Sequence, residues 1–351
     1  MSKSFVRKSL RGFKPYVPGE QPPDGEDWVK LNTNESPLPP SRKVIEAIKR
    51  AADDSLRLYP SPTAAPARRA IAKHFGLDAG QVAIGNGADE LIEMCFRAFV
   101  GEGDRVAYST PTYPLLEPMC TIHEAVPSPH PSAEMFTWST DLMDDPAPLK
   151  FLVNPNSPTG TWHGRASVER ILHRSEGLVV LDEAYVDFAL ESQVELLGKH
   201  ENLLILRTMS KSYALAGMRI GFALGSPELI AALDAVKDSY NVDRLAIVAA
   251  TAAIEDEQYH RTIVEHVVAE RAWLEDQLRE LGFEHSPSEA NFVFVKPALG
   301  NAASAVADAL RERRILVRHY DRDPIAGWFR ITVGMRAEHE RLLEALREIL
   351  I

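Results

Sequence analysis

Short apolar runs that break into polar loops limit the fold of this chain more than any other feature. They are Gln81–Ile84, Phe151–Val153, Leu178–Leu181 and Leu203–Leu206. Runs without an exposed polar face suit strands covered on both sides, as in a parallel sheet. Parallel neighbours need crossover connections, and the intervening stretches, such as Arg165–Arg174, are long enough to be helices. The expected arrangement is successive βαβ units of an α/β fold, with the polar residues that follow each strand gathered at the carboxyl edge of one sheet.

Those polar residues share a chemistry. After Leu206 comes Thr208-Met-Ser-Lys211, with Arg219 eight residues beyond the lysine. An ammonium is costly to bury unless it is paired or chemically used. Two hydroxyls and a guanidinium suit a phosphate, and an amine beside them suits an aldehyde. A phosphate-bearing aldehyde of that kind is pyridoxal 5'-phosphate (PLP). After Leu181 comes Asp182-Glu-Ala-Tyr185, where a buried acid needs a cation such as a protonated pyridine nitrogen. Tyr185 can reach the phenolic oxygen of the same ring. After Ile84, Gly85-Asn-Gly-Ala-Asp-Glu90 leads into a helix bearing Leu91, Ile92, Cys95, Phe96 and Phe99, and such a helix start is a phosphate seat. Taken singly each motif has a plainer reading: a lysine at a strand-to-loop junction, an aspartate capping a helix, a strand–turn–helix without ligand. Glu90 stands where a dinucleotide fingerprint has its third glycine, and no G-x-x-x-x-G precedes Lys211-Ser212.

Asn154-Pro-Asn-Ser-Pro-Thr-Gly160, Asp182-Glu-Ala-Tyr185, Thr208-Met-Ser-Lys211 and Arg219 together resemble the fold-type I PLP-dependent aminotransferases. Pro15-Tyr-Val-Pro-Gly19, Lys30-Leu-Asn-Thr-Asn-Glu-Ser-Pro37, Leu58-Tyr-Pro60, Gly87-Ala-Asp-Glu90 and Arg330-Ile-Thr-Val-Gly334 narrow the resemblance to the histidinol-phosphate aminotransferase family. The resemblance implies a three-layer sandwich with a mostly parallel central sheet, plus a smaller α+β domain. It implies that Lys211 bonds the cofactor and shuttles a proton, that Asp182 pairs with the pyridine nitrogen, and that Tyr185 and Ser157 approach the phenolic oxygen. Tyr113 would stack on the ring. Gly87, Ala88, Asp89, Thr208, Ser210 and Arg219 would surround the phosphate, joined by Tyr59 from the other subunit of a homodimer. Arg330 would bind the anionic end of both substrates, with Arg318, Tyr16 and Asn34 beside it. The implied reaction moves an amino group from L-histidinol phosphate to 2-oxoglutarate, in histidine biosynthesis. Aromatic amino acid aminotransferases and threonine-phosphate decarboxylases share much of this vocabulary, and a non-catalytic sensor of the same fold is a remoter alternative. Two positions depart from the pattern. Ser157 replaces the usual asparagine, a role Asn156 could assume only if the loop shifts. Leu116 replaces a second tyrosine and is expected to lie toward the substrate.

Composition sets the remaining bounds. A chain of 351 residues is expected to divide: an arm over 1–30, a large cofactor domain over 31–250 and a small substrate domain over 251–351. The net charge of -11 argues against nucleic acid, and no run approaches the length of a membrane span. Met1–Arg11 lacks the apolar core of a secretory signal. Cys95 and Cys120 are expected as buried thiols in a reducing cytoplasm. Helices are expected at Ser41–Ala52, across Pro227–Glu255 and at Tyr259–Leu281, with His260 and His266 on the solvated side of the last. The histidines lack metal-ligand spacing. Arg330, alternating with Ile331 and Val333, reads by pattern alone as a solvent-facing strand arginine.

Overall fold

The computed structural model describes residues 5–23, 25–298 and 300–350. Strand β1 (Val29–Lys30) pairs in parallel with β11 (Ile315–Leu316). A seven-stranded sheet follows, made of β2 (Val82–Gly85), β3 (Arg105–Thr110), β4 (Val126–Pro131), β5 (Leu149–Val153), β6 (Leu178–Asp182), β7 (Leu203–Thr208) and β8 (Gly221–Leu224). Its order is β2-β8-β7-β6-β5-β3-β4, parallel except for β8, which runs against both neighbours. A four-stranded antiparallel sheet has the order β12-β13-β10-β9, from β9 (Glu284–His285), β10 (Phe292–Lys296), β12 (Arg318–His319) and β13 (Phe329–Thr332).

The larger sheet separates two apolar layers because its strands alternate between them. Leu152, Leu181, Leu203, Ile205 and Phe222 face one layer, closed by the helix Arg165–Arg174 through Val168, Ile171 and Leu172. Leu149, Phe151, Val180, Leu204 and Leu206 face the other, closed by the helix Ala88–Phe99 through Leu91, Ile92 and Phe96. The result is the expected α/β sandwich. β4 escapes pattern reading because Pro127, Pro129 and Pro131 occupy alternate positions. It is an edge strand, and the N–H groups of Val126 and Ser132, either side of the prolines, bond back to Asp104 and Thr110. Prolines thus fall where the N–H would face outward, which also blocks pairing with another chain.

Ser41 caps the helix Arg42–Ala51 by accepting from the Lys43 N–H at 3.1 Å. The stretch expected as one helical block over 227–255 is two helices, Pro227–Val236 and Arg244–Ile254. The long helix, Glu257–Glu280, ends at Gly282, whose φ of 85° suits glycine. His260 and His266 are half-buried rather than solvated, and His260 stacks on Tyr213 at 4.1 Å. Cys95 and Cys120 are buried free thiols, as expected. Arg330 reverses its pattern-based reading. Phe329 and Ile331 enter the core of the small sheet, so Arg330 and Thr332 face the other way. That face meets the larger sheet's loops and not water, and Arg330 is 8% exposed.

Strand register gathers the polar residues. Asp182 is opposite both Val153 and Leu206, and Gly221 is opposite both Gly85 and Thr208. The carboxyl ends of β2, β5, β6 and β7 and the start of the helix Ala88–Phe99 therefore meet at one edge. A Cβ on Gly221 would lie 2.6 Å from the Ala88 nitrogen and 2.6 Å from the Gly87 carbonyl carbon. Backbone cannot yield as a side-chain tip can, so Gly221→Ala is expected to cost about 1–3 kcal/mol through overpacking. A thermal melt of the cofactor-free protein should show the loss; an unchanged melting temperature would refute this close approach.

Candidate functional site

A cavity of about 460 Å³ opens at that edge, between the larger sheet, the antiparallel sheet and the segment 16–35. At one end is an anion seat. Ala88 and Asp89 form the first turn of their helix, whose N–H groups lack partners within it. The Thr208 hydroxyl donates to Ser210 Oγ at 3.0 Å and accepts from the Ser210 N–H at 3.1 Å. Arg219, at a left-handed φ of 51°, brings its guanidinium across Gly87. A Cβ at Gly87 would lie 2.6 Å from Arg219 Nη2 and would displace it, and the φ of 84° at Gly87 itself favours glycine. The acid at this seat is Asp89, which accepts from Tyr113 Oη at 2.9 Å and from Arg219 Nη2 at 3.3 Å.

Midway lies Lys211, whose Nζ donates to the Thr33 carbonyl at 3.3 Å and stands 5.8 Å from the Tyr185 ring centre. Burial lowers its pKa from the ordinary 10.5 to about 8, helped by the cations Arg330 and Arg219. Asp182 is 5% exposed and accepts from the Ala184 N–H at 2.9 Å. It has no ion-pair partner among the described residues, and burial pushes its carboxyl up to about 7. Tyr185 Oη accepts from Asn34 Nδ2 at 3.0 Å. Asn34 is itself tied to the antiparallel sheet, because Thr332 Oγ1 donates to its Oδ1 at 3.1 Å.

At the far end Arg330 donates to the Asn32 carbonyl at 3.0 Å and to Ser157 Oγ at 3.1 Å. Its Nε has no partner, and no carboxylate pairs with it among the described residues. Arg318 lines the same end but donates to the carbonyls of Val17 and Pro18, at 2.9 and 3.2 Å. Tyr16 meets Tyr113 edge-on, with ring centres 5.7 Å apart. Tyr320, which the sequence did not single out, completes this wall.

Most of the expected site residues therefore share one cavity. Tyr59 does not: it is 78% exposed and stacks on Tyr240 at 4.4 Å. The structure bears out the reading of Asn156 and corrects that of Leu116. Asn156 cannot serve the cavity, since Nδ2 donates to the Pro111 carbonyl and Thr159 Oγ1, and Oδ1 accepts from Thr112. Leu116 does not lie toward the substrate; it is 1% exposed and packs in the apolar layer beside Met119 and Cys120. Asn32 and Thr33 were missed as backbone acceptors for Arg330 and Lys211. The pairing of β1 with β11 and the hydrogen bonds of Leu31 and Asn34 to Thr332 bring them there.

An unpartnered buried carboxylate, an amine of lowered basicity and a multi-donor anion seat form a matched set. They fit a flat ligand with a cationic ring, an aldehyde and a phosphate. Residues 26–346 match the family described as aminotransferase class I and II. The chain belongs to that family. A histidinol-phosphate aminotransferase from Acetobacter pasteurianus is 45% identical over 350 residues, covering 99% of this chain and 98% of that one. The crystal structure of histidinol-phosphate aminotransferase from Sinorhizobium meliloti in complex with pyridoxal-5'-phosphate is 30% identical. It superposes with a TM-score of 0.85, covering 92% of this chain and 90% of that one. L-threonine-O-3-phosphate decarboxylase from Porphyromonas gingivalis shares the fold, with a TM-score of 0.81 at 23% identity over 92% of this chain and 99% of that one.

The electrostatics of this aminotransferase cavity set a pH response. In the cofactor-free protein, Lys211 should react with an amine-directed reagent with a midpoint near pH 8. Below the midpoint the ammonium protects it. Arg330→Gln removes a repelling cation and so should raise the midpoint. A wild-type midpoint near that of an exposed lysine would contradict the account.

Proposed function

We propose that this aminotransferase uses pyridoxal 5'-phosphate to transfer the amino group of L-histidinol phosphate to 2-oxoglutarate, giving imidazole acetol phosphate and L-glutamate, a step of histidine biosynthesis. The observation that carries the cofactor is Asp182, a buried carboxylate in the cavity without a cation of its own. The near full-length relative named for this reaction supports the substrate. Pyridoxal 5'-phosphate, when bound, supplies an aldehyde carbon that takes up the amino group and a protonated ring that withdraws electrons from the substrate's Cα.

The chain's residues divide the remaining work. The Ala88 and Asp89 N–H groups, Gly87's open surface, the Thr208 and Ser210 hydroxyls and Arg219 hold the cofactor phosphate. Asp182 stays ionised opposite the ring nitrogen, because a cation there offsets the cost of its burial. Tyr185, fixed by Asn34, and Ser157 donate toward the phenolic oxygen, and Tyr113 covers the ring. Lys211 Nζ would hold the cofactor through its aldehyde, and as a free amine it would be the base that takes the proton from the substrate's Cα and holds it on Nζ. Its lowered basicity leaves a useful fraction unprotonated near neutrality. Arg330 takes the phosphate of one substrate or a carboxylate of the other, with its free Nε as the spare donor. Arg318 and Tyr16 flank it.

We extend the proposal to the assembly. Tyr59, Leu58 and Leu56 are all at least half exposed around one apolar surface. A second copy would cover it and receive Tyr59 at its cofactor phosphate, making a homodimer. No helix among the described residues is long and apolar enough to cross a membrane. Cytoplasmic residence and the division into an arm (1–30), a large domain (31–250) and a small domain (251–351) belong to the same reading.

Lys211→Ala should abolish glutamate formation from histidinol phosphate and 2-oxoglutarate while the melt stays cooperative. Arg330→Ala should raise the KM of both substrates by about tenfold or more, the loss of a charged hydrogen bond. Turnover of phenylalanine but not histidinol phosphate, or carbon dioxide release from threonine phosphate, would refute the substrate assignment. Retained turnover in Lys211→Ala would refute the mechanism.

A further inference from the structure

On the sheet face opposite Asp182 and Thr208 lies a charge cluster that the proposed reaction does not use. Arg207, in β7, alternates toward the layer that holds Leu203 and Ile205 and is 3% exposed. Its Nη1 donates to Glu183 Oε2 at 3.2 Å, and its Nη2 donates to Asp187 Oδ1. Glu183 also accepts from Ser192 Oγ at 2.6 Å and from the Gln193 N–H at 2.7 Å. The Ser212 hydroxyl donates to Asp187 Oδ2, and His260 Nε2 lies 3.5 Å from the same oxygen. Burial alone would raise Asp187, but Arg207, His260 and Ser212 hold it well below the usual carboxylate range.

Buried ion clusters add little stability over apolar side chains of similar shape, so this one invites a reason beyond holding the fold. Its members supply one. Glu183 follows Asp182, Asp187 stands two residues after Tyr185, and Ser212 follows Lys211. Neighbouring residues share a rigid peptide plane, so fixing one fixes the Cα of the next. The cluster thus clasps the loop after β6 to the loop after β7, both of which carry cavity-lining residues, and does so without reaching the cavity itself.

We propose that Arg207 and Asp187, with Ser212, are positioning residues that set Lys211 Nζ relative to Asp182 and Tyr185. The inference rests on the reading of Lys211 as the reactive amine. A misplacement of about 1 Å at a reacting centre can cost on the order of a hundredfold in rate, so a clasp this close would control turnover without touching substrate.

Two single substitutions test it. Ser212→Ala deletes one hydroxyl from a residue 1% exposed and cuts the link to the Lys211 loop. Asp187→Asn keeps the side-chain shape and leaves Arg207 paired with Glu183. Each holoenzyme should lose about tenfold or more in kcat with the KM for glutamate changed less than about threefold. Each cofactor-free variant supplies a second readout, the pH midpoint for labelling Lys211. That amine faces Arg330 from β13, Glu35 from the amino-terminal segment, Asp89 from its helix and Arg219 from the loop before β8. A shifted lysine leaves this enclosure, and its midpoint should rise from about 8 toward that of an exposed lysine. A cluster that only stabilises the fold would lower the melting temperature and leave both readouts alone. An unchanged kcat or an unchanged midpoint in either folded variant overturns the proposal. Retained turnover in Lys211→Ala would instead overturn the reading beneath it.

Discussion

A carboxylate buried at the end of β6 without a cation is the constraint around which this chain is arranged. Isolated in a low dielectric, Asp182 would sooner bind a proton than stay charged, and its pKa of about 7 registers that tension. Few arrangements relieve it. A cationic ligand can, provided that the fold holds it beside the carboxylate and closes the rest of its surface. The parallel strands make this possible, because β5, β6 and β7 end together and place Asp182, the Asn154–Gly160 loop and Thr208 along one rim. The reversed strand β8 brings Arg219 and Gly221 back to the same rim beside Gly87.

The second half of the site arrives from far along the chain. Arg330 comes from the antiparallel sheet, and its hydrogen bonds end on Asn32 of the amino-terminal segment and Ser157 of the larger sheet's loop. Asn34 joins Tyr185 to Thr332 in the same way. Substrate recognition and the cofactor pocket are therefore mechanically linked through a few polar side chains. An anion that engages Arg330 competes with the contacts that now hold it. Ser157 matters in this light: its hydroxyl accepts from Arg330 while its backbone belongs to a loop that the Asn156 side chain ties to Pro111 and Thr112 as well as to its own Thr159.

How much of this the sequence disclosed follows from how far each signal reaches. β5, β6 and β7 were legible because strands covered on both faces leave continuous apolar runs. The polar residues that end them were legible for the same reason, since an acid or lysine after such a run has no packing explanation. β4 was not legible, because prolines usually mark a break and only the edge position makes them tolerable. Leu116 was misjudged because its direction was carried over from the resemblance alone, whereas a helix begins at Leu116 and turns that side chain into the core. Strand alternation left Arg330 ambiguous, since it states that the residue leaves one core and not what it meets instead. The roles of Asn32 and Thr33 depend on pairing between residues nearly three hundred positions apart, which no local pattern encodes.

The central claim is that the rim of this sheet holds pyridoxal 5'-phosphate on Lys211, opposite Asp182. Borohydride reduction of the cofactor-loaded protein makes that attachment permanent, and mass mapping of a digest then locates it. The account predicts that the added cofactor mass appears on the peptide containing Lys211, and disappears when the same experiment is run on Lys211→Ala. Modification concentrated on any other lysine, or no retained mass on the wild-type chain, would contradict it.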